Sequence, residues 1–362
     1  MNDFSRLLDR LEKDKEKMFA MATIIRVDGS AYRREGAKML IGRDGSYYGT
    51  ISAGCLEEDL IHQSMHVLES YQPKIVKYDL RSEDDDLSWG QGAGCDGNIE
   101  IYIEPIGWEW NQINQSTLLW PHIYEQLEQG QTLVTVKCMK EGDRQGAFIL
   151  SSTDGRMIGG SLGQDVEYTL IPYIHQFSIS RPKVKLMYIE ELKGDYLFEL
   201  YLPQDKLFIF GAGPDAEPLV ELASKLDFSV TVIDPRSSRC SEDFFPKADC
   251  LINEHPESFF NRFEIPYNSY VLIMTHNFNR DQIILEYLLQ APPKYLGVLG
   301  PKRRTKRLVN DKTSLSFIHS PIGLSIGAEG PEEISISVLA ELIKIRNQSA
   351  FNQTSQPVEC WI

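Results

Sequence analysis

The sequence predicts an α/β protein whose C-terminal part is a doubly wound parallel sheet and whose N-terminal part is a mixed α/β region. Three observations predict it. Residues 206–236, KLFIFGAGPDAEPLVELASKLDFSVTVIDPR, read as strand, glycine turn, helix, strand and terminal acid. After them, strand and helix patterns alternate as far as residue 299. Before them, short alternating strands are broken by glycine-rich turns and helical segments.

Within the first of these stretches, residues 207–210 are a β-rich apolar run. Ala216, Leu219, Val220, Ala223 and Leu226 recur at helix spacing, and a second strand at 230–233 ends on Asp234. Gly211 permits a tight turn, Gly213 lets backbone approach a phosphate at the helix N-terminus, and Ala216 is small where helix meets strand. Asp234 follows about 20 residues on, placed to accept from a ribose hydroxyl. G-x-G-x-x-A alone is a weak signal; its strand-turn-helix-strand-acid context makes it Rossmann-like. Residues 250–252 read as a weak third strand and 270–274 as a strong fourth, ending on Thr275-His276-Asn277. A helix at 280–290 and a fifth strand at 295–299 follow. In a sheet of order 3-2-1-4-5-6, ligands sit beyond the carboxyl ends of strands 1 and 4, so Gly211, Gly213, His276 and Asp281 share one crevice. The fifth strand leads into a basic cluster that includes Lys302, Arg303 and Arg304, suited to phosphate. A solvated helix face is the alternative, since some of these cations must point away on any helix. PEEISISVLAELIKIR is the last helix, and the tail 347–362 is expected to fray.

The N-terminal part opens with an amphipathic helix at 4–18 and a strand at 19–27. Asp28-Gly29 and Asp44-Gly45 mark hairpin-like turns around a strand at 38–41. Glycines at 49–54 deliver Cys55 to a helix expected over 56–68, whose positive end favours thiolate; a small buried hydrophobe is the alternative. His62 and His66 read as a surface pair without a third partner. A strand at 74–80 and an acidic loop at 83–86 follow. Gly90, Gly92, Gly94 and Gly97 then crowd Cys95 ahead of a strand at 99–103, which implies close backbone approach there. A helix at 121–128, strands at 132–139 and 146–150, a second glycine cluster, more helix and a strand at 185–192 come next. No internal repeat is read, the topology of 111–203 stays open, and 199–203 reads as a linker. The expected domains are 1–110, 111–203 and 204–346, with the tail 347–362.

The composition, 42% hydrophobic and 25% charged over 362 residues, is that of a globular protein. A net charge of −15 argues against nucleic acid or an anionic membrane as main partner. No apolar run approaches the ~18 residues of a membrane span. Six scattered cysteines, without a C-x-x-C pair or a signal sequence, predict a cytoplasmic protein with free thiols.

Taken together, GSAYRREGAKMLI, GTISAGCLEEDL, GAGCDGNIEIYIEP, LFIFGAGPDAEPL, VTVIDPR, MTHNFNRD, YLGVLGPKRR and PIGLSIGAEGPEEISISVLAEL resemble the XdhC/CoxI family. These are accessory proteins of xanthine dehydrogenase and related molybdenum hydroxylases. The resemblance implies a chaperone that binds molybdenum cofactor (molybdopterin) and delivers it, sulfurated, to the hydroxylase. By position, Cys55 and Cys95 are the family cysteines and candidate ligands of the cofactor's molybdenum. Gly211 and Gly213 are the Rossmann glycines, His276 and Asp281 match the Thr-His-…-Asp motif, and Glu333 matches the acid of the closing helix. Pro214 and Ala216 depart from a family histidine and glycine, Ala53 and Asp96 from glycines, and Pro301 from a serine. A hydroxylase, a cysteine desulfurase and a second copy of the chain are the implied partners. The main alternative is an NAD(P)-dependent oxidoreductase, supported by Asp234, with Arg236 admitting the 2′-phosphorylated cofactor. A purely structural partner of the hydroxylase is a third. Hydride transfer by this chain alone is not expected, because no substrate domain of the usual dehydrogenase kind is apparent.

Overall fold

The computed structural model describes residues 4–52, 54–80, 97–108, 119–140, 145–309 and 317–351, in two compact units joined at Pro203–Gln204. The N-terminal unit begins α1 (Phe4–Lys13), β1 (Met18–Gly29), β2 (Lys38–Gly42), β3 (Tyr47–Gly49), α2 (Glu57–Ser70), β4 (Lys74–Asp79) and β5 (Gly97–Gly107). It continues α3 (Leu119–Glu128), β6 (Leu133–Cys138), β7 (Phe148–Ser152), β8 (Met157–Gly160), α4 (Gln164–Ser180), β9 (Val184–Ile189) and β10 (Gly194–Tyr201). The second seven elements repeat the first seven. The two antiparallel sheets are ordered β3-β2-β1-β5-β4 and β8-β7-β6-β10-β9.

The register repeats too. Phe19 lies between Gly42 and Ile106, as Leu133 lies between Ser152 and Tyr201. So do the turns: the Ser46 amide donates to Asp44 at 3.0 Å, and the Arg156 amide to Asp154 at 3.1 Å. The pattern Gly-Ala-x-x-Leu-x-x-x-Asp-Gly underlies both, at 36–45 and 146–155. The reading that no internal repeat exists is thereby corrected. It was hidden because the matching positions are mostly turn residues, while the intervening side chains differ. Segments 1–110 and 111–203 lie together in this unit, one sheet in each.

Layering follows from alternation along the strands. Leu60, Val67 and Leu68 of α2 pack on Ala20, Ala22 and Ile101 of the first sheet. Leu170, Ile174 and Phe177 of α4 pack on Val134, Val136 and Phe198 of the second. The opposite faces meet through α1 and α3, where Leu7, Leu11, Trp120 and Ile123 join Phe19, Met21, Leu133 and Tyr201. Residues 19–25 of β1 are therefore buried on both faces.

Between these apolar groups lies a row of four buried charges: Lys38 of β2, Glu199 of β10, Lys137 of β6 and Glu104 of β5. Lys38 contacts Glu199, Lys137 contacts Glu199 at 2.9 Å, and Lys137 contacts Glu104. Lys38 also donates to Thr23 at 2.9 Å. The expected linker at 199–203 is thus corrected: β10 runs through Glu199 to Tyr201. A lone glutamate reads as exposed because glutamate is almost never buried unless paired, and both of its partners are far away in sequence. Asp28-Gly29 is likewise no turn, since Asp28 pairs with Asn98 in the β1–β5 ladder.

The C-terminal unit runs β11 (Asp205–Phe210), α5 (Ala216–Lys225), β12 (Phe228–Ile233), β13 (Cys250–Ile252), α6 (Pro256–Arg262) and β14 (Tyr270–Ile273). Then come α7 (Phe278–Leu288), β15 (Tyr295–Val298), α8 (Lys302–Leu308), β16 (Ile318–His319) and α9 (Gly330–Phe351). Its six parallel strands are ordered β13-β12-β11-β14-β15-β16, the doubly wound order the sequence predicts. Helices α5 and α9 cover one face, with Leu219, Val220, Val338 and Leu342 on Leu207 and Val230. Helices α6, α7 and α8 cover the other, with Phe259, Ile284 and Leu308 on Val271 and Ile273. Gly211, at φ +122°, closes β11 where a Cβ would collide with the Met274 carbonyl. Glycine is required at that point, because the chain leaves β11 in direct contact with the backbone that ends β14, at a positive φ. The closing helix extends past the expected end at 346, and residues 352–362 of the expected tail lie outside the described residues.

Glu199→Ala is expected to destabilise the protein by about 3–5 kcal/mol, because it strands two buried lysines; the denaturant midpoint reads this. Burial pushes the Glu199 carboxyl up, but Lys137 and Lys38 pull it further down, to about 2, below the ordinary 4.5. Its contribution is therefore complete above pH 4.5 and lost as pH falls from there toward about 2. The stability gap between wild type and Glu199→Gln should close over that window; a gap constant across it contradicts the assignment.

Candidate functional site

The first candidate is the loop that enters α2. Gly54, at φ +106°, turns the chain, and Cys55 follows as a free, half-buried thiol. The helix begins at Glu57, so Cys55 stands two residues outside the element it was expected to open. Glu57 is 6% exposed and turns its carboxylate back into the loop. One oxygen accepts from the Ser52 amide at 2.9 Å. The other accepts from the Gly54 amide at 3.1 Å, the Leu56 amide at 3.2 Å and the Ser52 hydroxyl. The Ser52 oxygen in turn accepts from the Cys55 and Leu56 amides, each at 3.0 Å. Burial pushes the Glu57 carboxyl up, yet these hydrogen bonds, led by Ser52, hold it below the usual carboxylate range. The loop is thus a nest of amides filled by the chain's own acid, with the thiol at its side. The repeat has Gly163, at φ +91°, and Gln164 at the matching entry to α4, with no cysteine there. Cys95 lies outside the described residues.

The second candidate lies at the carboxyl ends of β11, β12 and β14. Ala216 is buried where α5 meets the sheet, and its amide donates to the Gly213 carbonyl. Asp234 is 2% exposed. Its carboxylate accepts from the Ala212 amide at 2.9 Å, from the Arg236 amide at 2.9 Å, and from the Arg236 guanidinium at 2.8 and 2.7 Å. Burial pushes this carboxyl up, but Arg236 and the amides pull it below its ordinary value. Asp281, 1% exposed, accepts from the Thr275 hydroxyl and pairs with Arg304 at 2.6 Å. That pairing separates Arg304 from Lys302 and Arg303, which are exposed on α8.

His276 follows β14 with a left-handed backbone, φ +57°, and its Nε2 lies 2.9 Å from Asp215 Oδ2. The pair borders a cleft of about 390 Å³, walled by Pro214, Leu299, Pro331 and Ile334. The structure thus brings Gly211, Gly213, Ala216, Asp234, His276 and Asp281 to one end of the parallel sheet. Neither Glu57 nor Asp215 is singled out from the sequence. An acid two or three residues past a glycine, in either motif, was the available signal. His62 and His66 stack edge to face at 4.8 Å on the surface of α2, and no cluster of metal-ligating residues occurs among the described residues. No described helix is long and apolar enough to cross a membrane.

Comparison with known proteins adds to this geometry. A model described as the XdhC Rossmann domain matches residues 207–342, and one described as the XdhC and CoxI family matches residues 13–79. The chain is 36% identical to a probable xanthine dehydrogenase subunit of Bacillus subtilis (strain 168), over 97% of the chain and 99% of that relative. It is 22% identical to the molybdenum cofactor insertion chaperone PaoD of Escherichia coli (strain K12), over 90% of the chain and 83% of PaoD. Among solved structures, one described as a xanthine dehydrogenase from Bacillus halodurans superposes with a TM-score of 0.82 at 37% identity. That match covers 99% of this chain and 98% of the other.

Glu57→Ala leaves the amides of the cysteine loop without their acceptor. It is expected to cost about 1–3 kcal/mol in stability and to speed alkylation of Cys55 by iodoacetamide at neutral pH. An unchanged labelling rate would mean that Glu57 does not hold the loop.

Proposed function

This chain belongs to the XdhC and CoxI family, and from that membership we propose that it binds molybdenum cofactor and delivers it to a molybdenum hydroxylase of the xanthine dehydrogenase kind. The carrying observation is a free, half-buried thiol on a preformed glycine loop, in a chain that matches its relative along 97% of its length. Molybdopterin combines a pterin ring, a dithiolene that holds the metal, and a phosphate. A cysteine sulfur is a soft donor and suits the dithiolene and metal end. Space beside the thiol is open on the glycine side, since a Cβ built on Gly54 meets no atom within 4 Å. Cys55 would hold that end, with Cys95 as the second sulfur, and Glu57 would keep the loop in shape. When bound, the cofactor supplies the redox-active metal that the receiving hydroxylase uses. This chain's own part is to bind it, shield it and release it.

The oxidoreductase reading depends on Asp234 accepting from a ribose. A carboxylate has about four acceptor sites, and in this chain Arg236 and the Ala212 amide supply four hydrogen bonds. That saturation favours the delivery reading.

Protein purified from cells that make the cofactor is expected to release a fluorescent pterin on denaturation, with molybdenum in proportion. Cys55→Ala should reduce both by roughly 10–100-fold, the usual effect of disturbing a metal site. Undiminished binding in that variant, or steady oxidation of NADPH by the purified protein, would overturn the proposal.

A further inference from the structure

We infer that the outer face of α4 is a self-association surface, on which a second copy of this chain packs its own α4 antiparallel to the first. Leu170, Ile174 and Phe177 turn one side of this helix into the core. At about 100° per residue, Asp165, Tyr168, Pro172, His175 and Ile179 fall on the opposite side, and all of them are exposed. Their alternating spacing of three and four is that of a seam between paired helices. Tyr168 is 70% exposed and Ile179 74%, two of the three most exposed large hydrophobic side chains among the described residues. Single exposed apolar residues are ordinary, but apolar residues aligned along one helix face mark a contact surface.

The repeat supplies an internal control. Helix α2 occupies the same place on the first sheet, with Leu60 answering to Leu170 and Val67 to Phe177, each 110 residues on. On that correspondence Tyr168, Pro172 and Ile179 stand where α2 carries Glu58, His62 and Glu69, which are exposed as well. The fourth position reverses the exchange, His175 for a half-buried Met65. The fold thus accepts polar and charged groups at the outward positions, and the apolar ones in α4 serve something other than packing within the unit.

The occupant follows from symmetry and charge. A two-fold contact requires that residue i meet residue j while j meets i. In an antiparallel pair centred between Tyr173 and Ile174, Tyr168 lies level with Ile179 of the second copy, and Pro172 with His175 of the second copy, in both directions at once. Asp165, in the first turn, comes level with Arg181, the C-cap of the other helix. The positive start of each helix then lies beside the negative end of its neighbour, whereas a parallel pair would set like ends together. Helix α4 has 17 residues, so the contact is about 25 Å long. A single helix pair of that length is at the small end of specific interfaces, and dissociation in the micromolar range is expected. The pairing does not depend on the delivery reading.

Sedimentation equilibrium of the full chain from about 1 to about 100 μM should show a monomer–dimer equilibrium with its midpoint in that range. Tyr168→Glu with Ile179→Glu gives α4 the residues that α2 already carries. That variant should keep its circular dichroism and thermal midpoint while dimerisation weakens at least tenfold. Asp165→Arg alone should weaken the dimer, and Asp165→Arg with Arg181→Asp should restore it, because the antiparallel pair puts those two positions level. A wild-type chain that stays monomeric throughout would assign the stripe to a different protein and overturn the inference. A dimer unchanged by the two glutamates, or a charge exchange without rescue, would overturn it as well.

Discussion

Four charges without water, held between two sheets, set the terms for the N-terminal unit. Taking an ammonium or a carboxylate out of water costs several kcal/mol per ion even after relaxation. Only an arrangement that gives every charge an opposite partner offsets that cost. Lys38, Glu199, Lys137 and Glu104 alternate in sign along one row, and each repeat supplies one lysine and one glutamate. Lys38 meets the glutamate of the other repeat, and Glu104 meets the other repeat's lysine. A slip of one residue in either sheet would turn these side chains to the opposite face. The row therefore selects both the register within each sheet and the pairing of the two repeats.

That rigidity extends through β2, which carries Lys38, to its hairpin partner β3, from which the chain leads to Cys55. Gly49 sits so close to the Lys38 carbonyl that no side chain could be accommodated there. From this anchored point the chain runs into a loop whose amides are gathered by Glu57. The C-terminal unit uses the same device at Asp234, which accepts from the Ala212 amide. Glycine turns usually remain open to bind an anion from outside. In this chain, the carboxylates of Glu57 and Asp234 occupy them, which preorganises the loops.

The C-terminal fold was legible almost strand by strand. Leu207, Val230, Val271 and Leu296 lie in short apolar runs bounded by turn residues, and a parallel sheet covered on both faces writes that pattern directly into sequence. The repeat in the N-terminal half was not legible, because its strands keep their turns but change their side chains. Gly36 and Gly146 match, as do Asp44 and Asp154, yet Lys38 corresponds to Phe148. Glu199 was misplaced into a linker, since a single acid near a proline carries no local sign that two lysines await it.

For the candidate sites, the sequence alone singled out the segments: Cys55 among glycines, the Gly211–Gly213 turn, and His276 at the end of the fourth strand. Those signals are local, because a tight turn or a helix entry demands particular residues within a few positions. Only the tertiary structure decided what the acids do. Whether Asp234 faces a ribose or an arginine, whether Asp281 meets a ligand or Arg304, and whether Glu57 serves the helix or the loop depend on where each side chain turns. A carboxylate binds whichever donors the fold brings within about 3 Å, and that distance is set by packing between segments far apart in the chain.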